Sequence, residues 1–112
     1  MRKSTFGLLA EYITIIIYSL KFYTILHHRL RRFVGEIDVI AVRAKQIVFI
    51  EVKARSSLII EDKLLSINQQ NRIKRSALLY LALNPRFQEH QVRFDLVVIR
   101  PYKLPIIYKN AW

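Results

Sequence analysis

Two acidic residues and a lysine stand at a spacing that suits chemistry on a phosphodiester. Asp38 is followed after twelve residues by Glu51, and Lys53 stands two positions further along. Carboxylate oxygens are ligands that Mg²⁺ takes in proteins, and the metal fills its other positions with water and substrate phosphate. A lysine beside such a metal suits a phosphoryl oxygen or an attacking water. These residues therefore predict a divalent-metal site that hydrolyses a phosphodiester.

A β-hairpin is the element that must position these residues. Residues 36–42 and 47–53 are two β-rich runs separated by four residues, Arg43 to Gln46. Such runs joined by a short connection are typical of paired antiparallel strands. We therefore predict a hairpin in which Val42 faces Ile47.

The register of this hairpin brings the acidic residues together. Counting away from the turn places Asp38 opposite Glu51 and Glu36 opposite Lys53, and side-chain alternation puts all four on one face. Like charges that face each other destabilise a sheet unless a cation lies between them or one carboxylate is protonated. The register itself therefore favours a bound metal.

The alternative interpretation is that these residues are only the polar side of an amphipathic hairpin, with Glu36 and Lys53 as an ordinary ion pair. However, the rest of that face is apolar and is predicted to be buried. Charged side chains at the end of a buried face cost free energy unless they are paired or bind a metal, which argues against this interpretation. The apolar residues are Ile40, Val42, Ile47 and Phe49.

The remaining elements are less sharply marked. We predict a helix over about residues 4–18, capped by Ser4 or Thr5, and then a short strand over 22–26 with a basic connection over 27–32. The first helix should turn four residues toward a core: Leu9, Ile13, Ile16 and Ile17.

A second helix and two strands complete the chain. The helix should begin after Ser66 or Asn68 and end at Leu83, before Asn84-Pro85, with Ile73, Ala77 and Leu81 on its buried face. Residues 91–100 and 104–109 read as strands. The order α, β, β, β, α, β, β predicts one α/β (α+β) domain over 1–112, a mixed sheet flanked by helices.

The charge balance points to a polyanionic partner. The chain has 19 Lys and Arg against 8 Asp and Glu, a formal net charge of +11. Phosphate backbones attract such an excess through counterion release, although a merely solvated basic surface is the alternative. No cysteine occurs, so disulfides, cysteine zinc sites and thiol nucleophiles are excluded, and a reducing, cytoplasmic location is the expectation.

The apolar stretch over residues 8–26 does not read as a membrane anchor. Glu11 and Lys21 interrupt it, and they leave too few uncharged residues for the roughly 20 that a spanning helix needs. Glu11 also argues against a signal peptide. We therefore expect no membrane partner.

The acidic and basic residues also carry a family resemblance. Gly35-Glu36-Ile37-Asp38 followed by Glu51-Val52-Lys53 resembles the Asp…Glu-x-Lys core of the restriction-endonuclease-like superfamily. Nearly the whole chain resembles the YraN-like family of uncharacterised bacterial proteins. The further matching residues are Gly7, Ala10, Glu11, Arg93-Phe94-Asp95 and Asn110-Ala111-Trp112.

This resemblance implies a restriction-endonuclease-like fold and an Mg²⁺- or Mn²⁺-dependent endonuclease that cleaves DNA, on branched or single-stranded forms in repair or recombination. Asp38 and Glu51 would hold the metal, Lys53 would orient or activate water, Glu11 would be a further acidic ligand, and Glu36 would support the site. A non-catalytic nucleic-acid-binding module and a partner-dependent structural protein stay open as alternatives.

Contacts to nucleic acid are expected from the basic segment before Gly35, from the end of the hairpin and from the second helix. Two departures from the family pattern stand out: Gln69 replaces a lysine, which weakens a phosphate contact, and Phe22 replaces a glycine, which suggests a different helix exit. The predicted nucleic-acid-binding residues are Arg29, Arg31, Arg32, Lys53, Arg55, Gln69 and Arg72.

Overall fold

The protein folds in the element order that the sequence predicts. The computed structural model describes residues 5–32, 35–56 and 65–112. Its elements are α1 (Thr5–Leu20), β1 (Thr24–Arg32), β2 (Gly35–Arg43), β3 (Gln46–Ala54), α2 (Ile67–Leu83), a short 3-10 turn (Pro85–Phe87), β4 (Gln91–Ile99) and β5 (Ile106–Tyr108). This α+β arrangement is compatible with a restriction-endonuclease-like fold.

One five-stranded mixed sheet forms the centre of the molecule. Its strands are ordered β1-β2-β3-β4-β5. β3 and β4 are parallel, and the other neighbours are antiparallel. Parallel strands require a long crossover, and the segment that contains α2 supplies it.

The two helices cover opposite faces of the sheet. Val48 and Ile50 of β3 pack in a core with Ala10 and Tyr18 of α1. The alternate residues Ile47 and Phe49 pack in a second core with residues of α2, among them Ala77 and Tyr80. Because both faces are covered, β3 is apolar along most of its length.

The buried face of α1 differs in part from the predicted one, since Ile13 and Ile17 pack against the core as predicted but Leu9 and Ile16 do not. Leu9 and Ile16 are more than half exposed, whereas Ala10, Thr14 and Tyr18 are buried. Most residues of α1 are apolar and lie on all sides of the helix, so helical periodicity could not select the buried face. Small residues at two of the buried positions let the helix approach the sheet closely. Of the two predicted caps, Ser4 lies outside the described residues and Thr5 is the first residue of the helix.

The basic segment over 27–32 is not a connection, because it continues β1 to Arg32. Adjacent residues of a strand point to opposite faces. His27 accordingly contacts the ring of Tyr80 in α2, and His28 contacts Glu11 in α1. Packing against both helices thus makes a strand of a segment whose charges suggested a loop.

The second helix has the predicted N-cap and end. Ser66 accepts a hydrogen bond from the amide of Gln69 at 3.1 Å, and the Gln69 side chain accepts one from the amide of Ser66 at 3.0 Å. This reciprocal capping box satisfies two backbone donors at the start of the helix.

The helix packs closely on β2 at Gly35. A Cβ added at Gly35 would lie only 2.6 Å from the hydroxyl oxygen of Ser76 in α2.

Helix α1 ends in a Schellman motif. The Tyr23 amide donates to the Tyr18 carbonyl, the Phe22 amide donates to the Ser19 carbonyl, and Phe22 has a left-handed φ of 69°. The rings of Tyr18 and Tyr23 pack edge to face, which supplies the apolar contact that accompanies this motif. Phe22 therefore keeps the left-handed turn that glycine favours at this position.

Candidate active site

The hairpin has the predicted register next to its turn, but the predicted facing pairs Asp38–Glu51 and Glu36–Lys53 lie outside the described ladder. Val42 pairs with Ile47, and the described ladder runs from Arg43–Gln46 at the turn to Val39–Ile50. The turn consists of Ala44 and Lys45, and Ala44 has a left-handed φ of 52°. A two-residue connection fixes the register, so the residues beyond Val39 and Ile50 are brought to one end of the hairpin.

Beyond this ladder, β2 is joined to β3 by a hydrogen bond to the side chain of Asp38. Its Oδ2 atom accepts a hydrogen bond from the backbone amide of Val52 at 2.8 Å, and the residue is 3% exposed. Val52 lies between Glu51 and Lys53 in the chain. The carboxylate of Asp38 is therefore held against the backbone that carries the other two predicted residues.

Lys53 and Glu51 form an ion pair at this point of the sheet. The Lys53 Nζ atom lies 3.4 Å from Glu51 Oε2, and the two side chains are 14% and 16% exposed. Partly buried charges are screened less by salt than surface charges are. The site therefore combines carboxylates with a positive charge in a partly enclosed position.

The ion pair in the alternative interpretation of the hairpin is not the one that forms. Glu36 lies 3.8 Å from the guanidinium of Arg31, its cross-strand neighbour in β1, and Lys53 pairs with Glu51 instead. Both Glu36 and Arg31 are partly exposed, so their contact contributes little stability. Glu36 is thus at the rim of the site, beside a cation from β1.

Glu11, the further acidic ligand that the family resemblance implies, lies on α1 and contacts β1. It is fully buried, its Oε1 atom lies 2.7 Å from His28 Nε2, and the Arg29 Nε atom lies 3.9 Å away. Arg29 has a left-handed φ of 58°, which breaks strand alternation. The consecutive residues His28 and Arg29 can therefore both face Glu11. His28 pairs with Val39, the residue next to Asp38. Glu11 therefore lies on the α1 side of β1, where its contacts are with residues of that strand.

Within residues 5–32, 35–56 and 65–112, no three His, Asp or Glu side chains converge as a ready metal-binding group. A third acidic ligand, such as Glu11, therefore stays a prediction.

The predicted nucleic-acid-binding residues differ in their surroundings. Arg72 is exposed on α2, and Arg55 is half-buried, where its guanidinium donates to the Ala54 carbonyl. Arg29 and Arg31 are engaged with acidic residues, as described above. The side chain of Arg32 lies outside the described part of the chain. Gln69 has a structural role in the α2 capping box, which the sequence analysis did not assign to it.

A buried polar network lies at the α1 side of β4, and only its Arg-Phe-Asp core was noted in the sequence. Arg93 donates to both carboxylate oxygens of the fully buried Asp95 at 2.8 Å, and the Tyr18 hydroxyl donates to Asp95 at 2.6 Å. Tyr23 and Gln46 contact the same guanidinium.

The charges in this network hold each other in place. Burial and the hydrogen bond to Asp95 raise the pKa of Tyr18 well above its ordinary value. Burial acts to lower the pKa of Arg93, but the hydrogen bonds and charge of Asp95 outweigh it and raise that pKa. Asp95 is therefore a structural residue, as expected for an aspartate beside an arginine on a strand.

Membrane-spanning helices are not part of the described structure, since none of its helices is both long and apolar enough to cross a bilayer.

Comparison with known proteins places the chain in one family. The model of the uncharacterised protein family UPF0102 matches residues 10–99. A UPF0102 protein of Ehrlichia ruminantium (strain Gardel) is 41% identical over 109 residues, which cover 97% of this chain and 84% of the relative. A UPF0102 protein of Parvibaculum lavamentivorans is 35% identical over 106 residues, or 95% of this chain and 80% of the relative. The chain therefore belongs to the uncharacterised bacterial protein family UPF0102, the YraN-like family that its motifs resemble.

Proposed function

We propose that the protein is a divalent-metal-dependent endonuclease that hydrolyses DNA phosphodiesters. The observation that carries this proposal is the hydrogen bond from the Val52 amide to Asp38, which joins Asp38 to the Glu51-Val52-Lys53 segment. An acidic residue, a second acidic residue and a lysine are thereby gathered at one end of a hairpin. Membership of the family supports the proposal only through the shared motifs, since the family is uncharacterised.

The side chains at this site suit Mg²⁺ or Mn²⁺. Asp38 and Glu51 offer only oxygen donors, which hard divalent cations prefer, and Mg²⁺ is commonly held by one or two carboxylates with water and phosphate. When bound, the metal would polarise a phosphoryl oxygen and make its bound water more acidic. Asp38 and Glu51 would hold this metal, and Glu11 is the candidate for a further ligand.

The protein's own residues have distinct tasks in this mechanism. The Val52 amide fixes the orientation of the Asp38 carboxylate, so the ligand is placed before the substrate arrives. Lys53 is held by Glu51 at a partly enclosed point, where its charge stabilises the negative charge that develops on the phosphate. Glu36, paired with Arg31 at the rim, supports the electrostatic balance of the site.

The basic surface of the protein suits DNA of any sequence as the substrate. The excess of basic residues is suited to phosphates, which carry no sequence information. Arg72 is exposed on α2, and Arg31 stays half-exposed in its pair with Glu36, so both can contact phosphates. Branched and single-stranded DNA are the candidate forms to test first.

A non-catalytic DNA-binding module is the second candidate. It is favoured by the commitment of Gln69 to the helix cap, at the position where the family usually carries a lysine. Both candidates bind DNA, so binding does not separate them.

Cleavage of a panel of branched, single-stranded and duplex DNAs tests the proposal. Wild-type protein should cleave at least one form with Mg²⁺ or Mn²⁺ and none in chelator, and Glu51→Gln should reduce the rate by about 10² or more. The matched control is Glu89→Gln, an exposed acidic residue away from the site, which should leave the rate unchanged. Metal-independent cleavage, or equal rates in both variants, would contradict the proposal; DNA binding without cleavage would favour the second candidate.

A further inference from the structure

Helix α1 presents an uncharged, apolar stripe to solvent. Leu9, Tyr12, Ile16 and Leu20 are 53%, 55%, 58% and 75% exposed. Residues three and four positions apart lie on the same side of a helix, so these four side chains form one continuous row. Glu11, the acidic residue of α1, is buried on the other side. A row of this kind on a protein of net charge +11 marks an interaction surface.

Phe22 extends the stripe beyond the end of the helix. Its side chain is 86% exposed, although its backbone has a left-handed φ of 69° that non-glycine residues adopt at a cost. Glycine would form the same turn without this cost. Packing therefore does not explain a phenylalanine here, and backbone outliers of this type are often found at functional positions.

Three cations lie near this end of the stripe. The Arg43 guanidinium donates to the Lys21 carbonyl at 2.8 Å and lies over the ring of Tyr23. Lys45 follows two residues later, in the hairpin turn. All three basic side chains are exposed. Apolar side chains and cations thus occur together at one end of the molecule.

We propose that this surface, formed by the α1 stripe with Phe22 and by Lys21, Arg43 and Lys45, binds an anionic lipid bilayer. Helix α1 would lie in the plane of the interface, with Leu20 and Phe22 inserted at the level of the headgroups. The cations are complementary to anionic headgroups, while the apolar row is suited to the acyl boundary. Neither component requires a spanning segment.

Other occupants fit this surface less well. A 16-residue helix is about 24 Å long, and one such row falls short of the roughly 800 Å² per partner of a stable protein interface. A second copy would also have to bring a molecule of net charge +11 against another. Single-stranded nucleic acid stacks on rings, whereas three of the five apolar residues are aliphatic.

The lipid surface is separate from the proposed nuclease site. Arg43 and Asp38 are five residues apart in one strand, which is about 17 Å. The expectation of no membrane partner rested on the lack of a spanning segment. That argument does not concern a helix that lies on a bilayer, and the stripe becomes visible only once the buried face of α1 is known.

Co-sedimentation with lipid vesicles tests the proposal. Full-length protein should bind vesicles of equal parts phosphatidylcholine and phosphatidylglycerol but not pure phosphatidylcholine. The double variant Leu20→Ser, Phe22→Gly should lower the partition coefficient about tenfold or more. The matched control is Leu78→Ser, Leu83→Ser on α2, whose residues are 67% and 57% exposed, and it should bind like wild type.

The contribution of charge is measured with a second pair of variants. Lys45→Gln should weaken binding to the anionic vesicles about fivefold, and Lys74→Gln, an exposed lysine of α2, should weaken it less. DNA cleavage by the two double variants, which keep every charge, should be the same as in wild type, so a failure here does not depend on the nuclease proposal.

Three results would overturn the lipid proposal. Unchanged binding by the double variant Leu20→Ser, Phe22→Gly, together with equal losses in Lys45→Gln and Lys74→Gln, would mean that net charge alone drives binding. A loss of single-stranded DNA binding by the double variant, with vesicle binding intact, would mean that the surface serves nucleic acid. Concentration-dependent dimers that disappear in the double variant, without any vesicle binding by wild type, would assign the surface to a second copy.

Discussion

Asp38 has a structural contact and a proposed catalytic role in the same carboxylate. Its Oδ2 atom accepts the Val52 amide at 2.8 Å at the end of the β2–β3 ladder. A buried amide that lost this acceptor would cost about 1–3 kcal/mol. An amide side chain retains an acceptor oxygen but not the negative charge. Asparagine and alanine therefore separate the two roles.

We expect Asp38→Asn to be as stable as wild type, or more stable, in chelator, because the Val52 amide keeps its acceptor while negative charge near Glu51 is removed. Asp38→Ala should lower the free energy of unfolding by about 1–3 kcal/mol, because the Val52 amide loses its acceptor. Added Mg²⁺ or Mn²⁺ should raise the melting temperature of wild type and that of Asp38→Asn much less. Melting curves with chelator and with metal measure this. If metal stabilised Asp38→Asn as much as wild type, Asp38 would be only structural.

At the scale of elements, the sequence predicted what depends on local pairing and capping. The hairpin register, the α2 cap at Ser66 and the proximity of Asp38 to Glu51-Val52-Lys53 all follow from neighbours along two adjacent strands or one helix. These features need no knowledge of the rest of the fold.

Features that depend on packing between distant elements could not be predicted. The buried side of α1 has no periodic signal, since its apolar residues run on all sides. The strand character of 27–32 depends on contacts of His27 with α2 and His28 with α1. The pairing of Glu36 with Arg31, in place of Lys53, depends in turn on β1 being a strand.

The Schellman end of α1 gives a stability prediction at this scale. We expect Phe22→Gly to raise the free energy of unfolding by about 0.5–1 kcal/mol, since glycine adopts the left-handed φ without steric cost and the lost side chain is 86% exposed. Ser19→Gly, within the last turn of the helix, is the control and should lower it by a similar amount. Denaturant unfolding measures both; a destabilised Phe22→Gly would mean that the ring contributes to packing.

Across the whole molecule, many residues would contribute to DNA binding and only a few to hydrolysis. Association with DNA would draw on 19 Lys and Arg residues, so no one of them should dominate affinity. Hydrolysis would depend on the few side chains at the end of the β2–β3 hairpin. Lys53 belongs to both sets, since it is one of the cations and also the partner of Glu51 at 3.4 Å.

The central claim is therefore tested most directly by the single-turnover cleavage rate and the DNA affinity of Lys53→Ala. The control is Lys74→Ala, which changes an exposed residue of α2. We expect Lys53→Ala to lower the cleavage rate by about 10² or more while its dissociation constant changes by only about twofold, because its charge acts on the transition state. Lys74→Ala should change neither quantity by more than about twofold. Equal losses of binding and cleavage in Lys53→Ala, or unchanged cleavage, would contradict the assignment of this site.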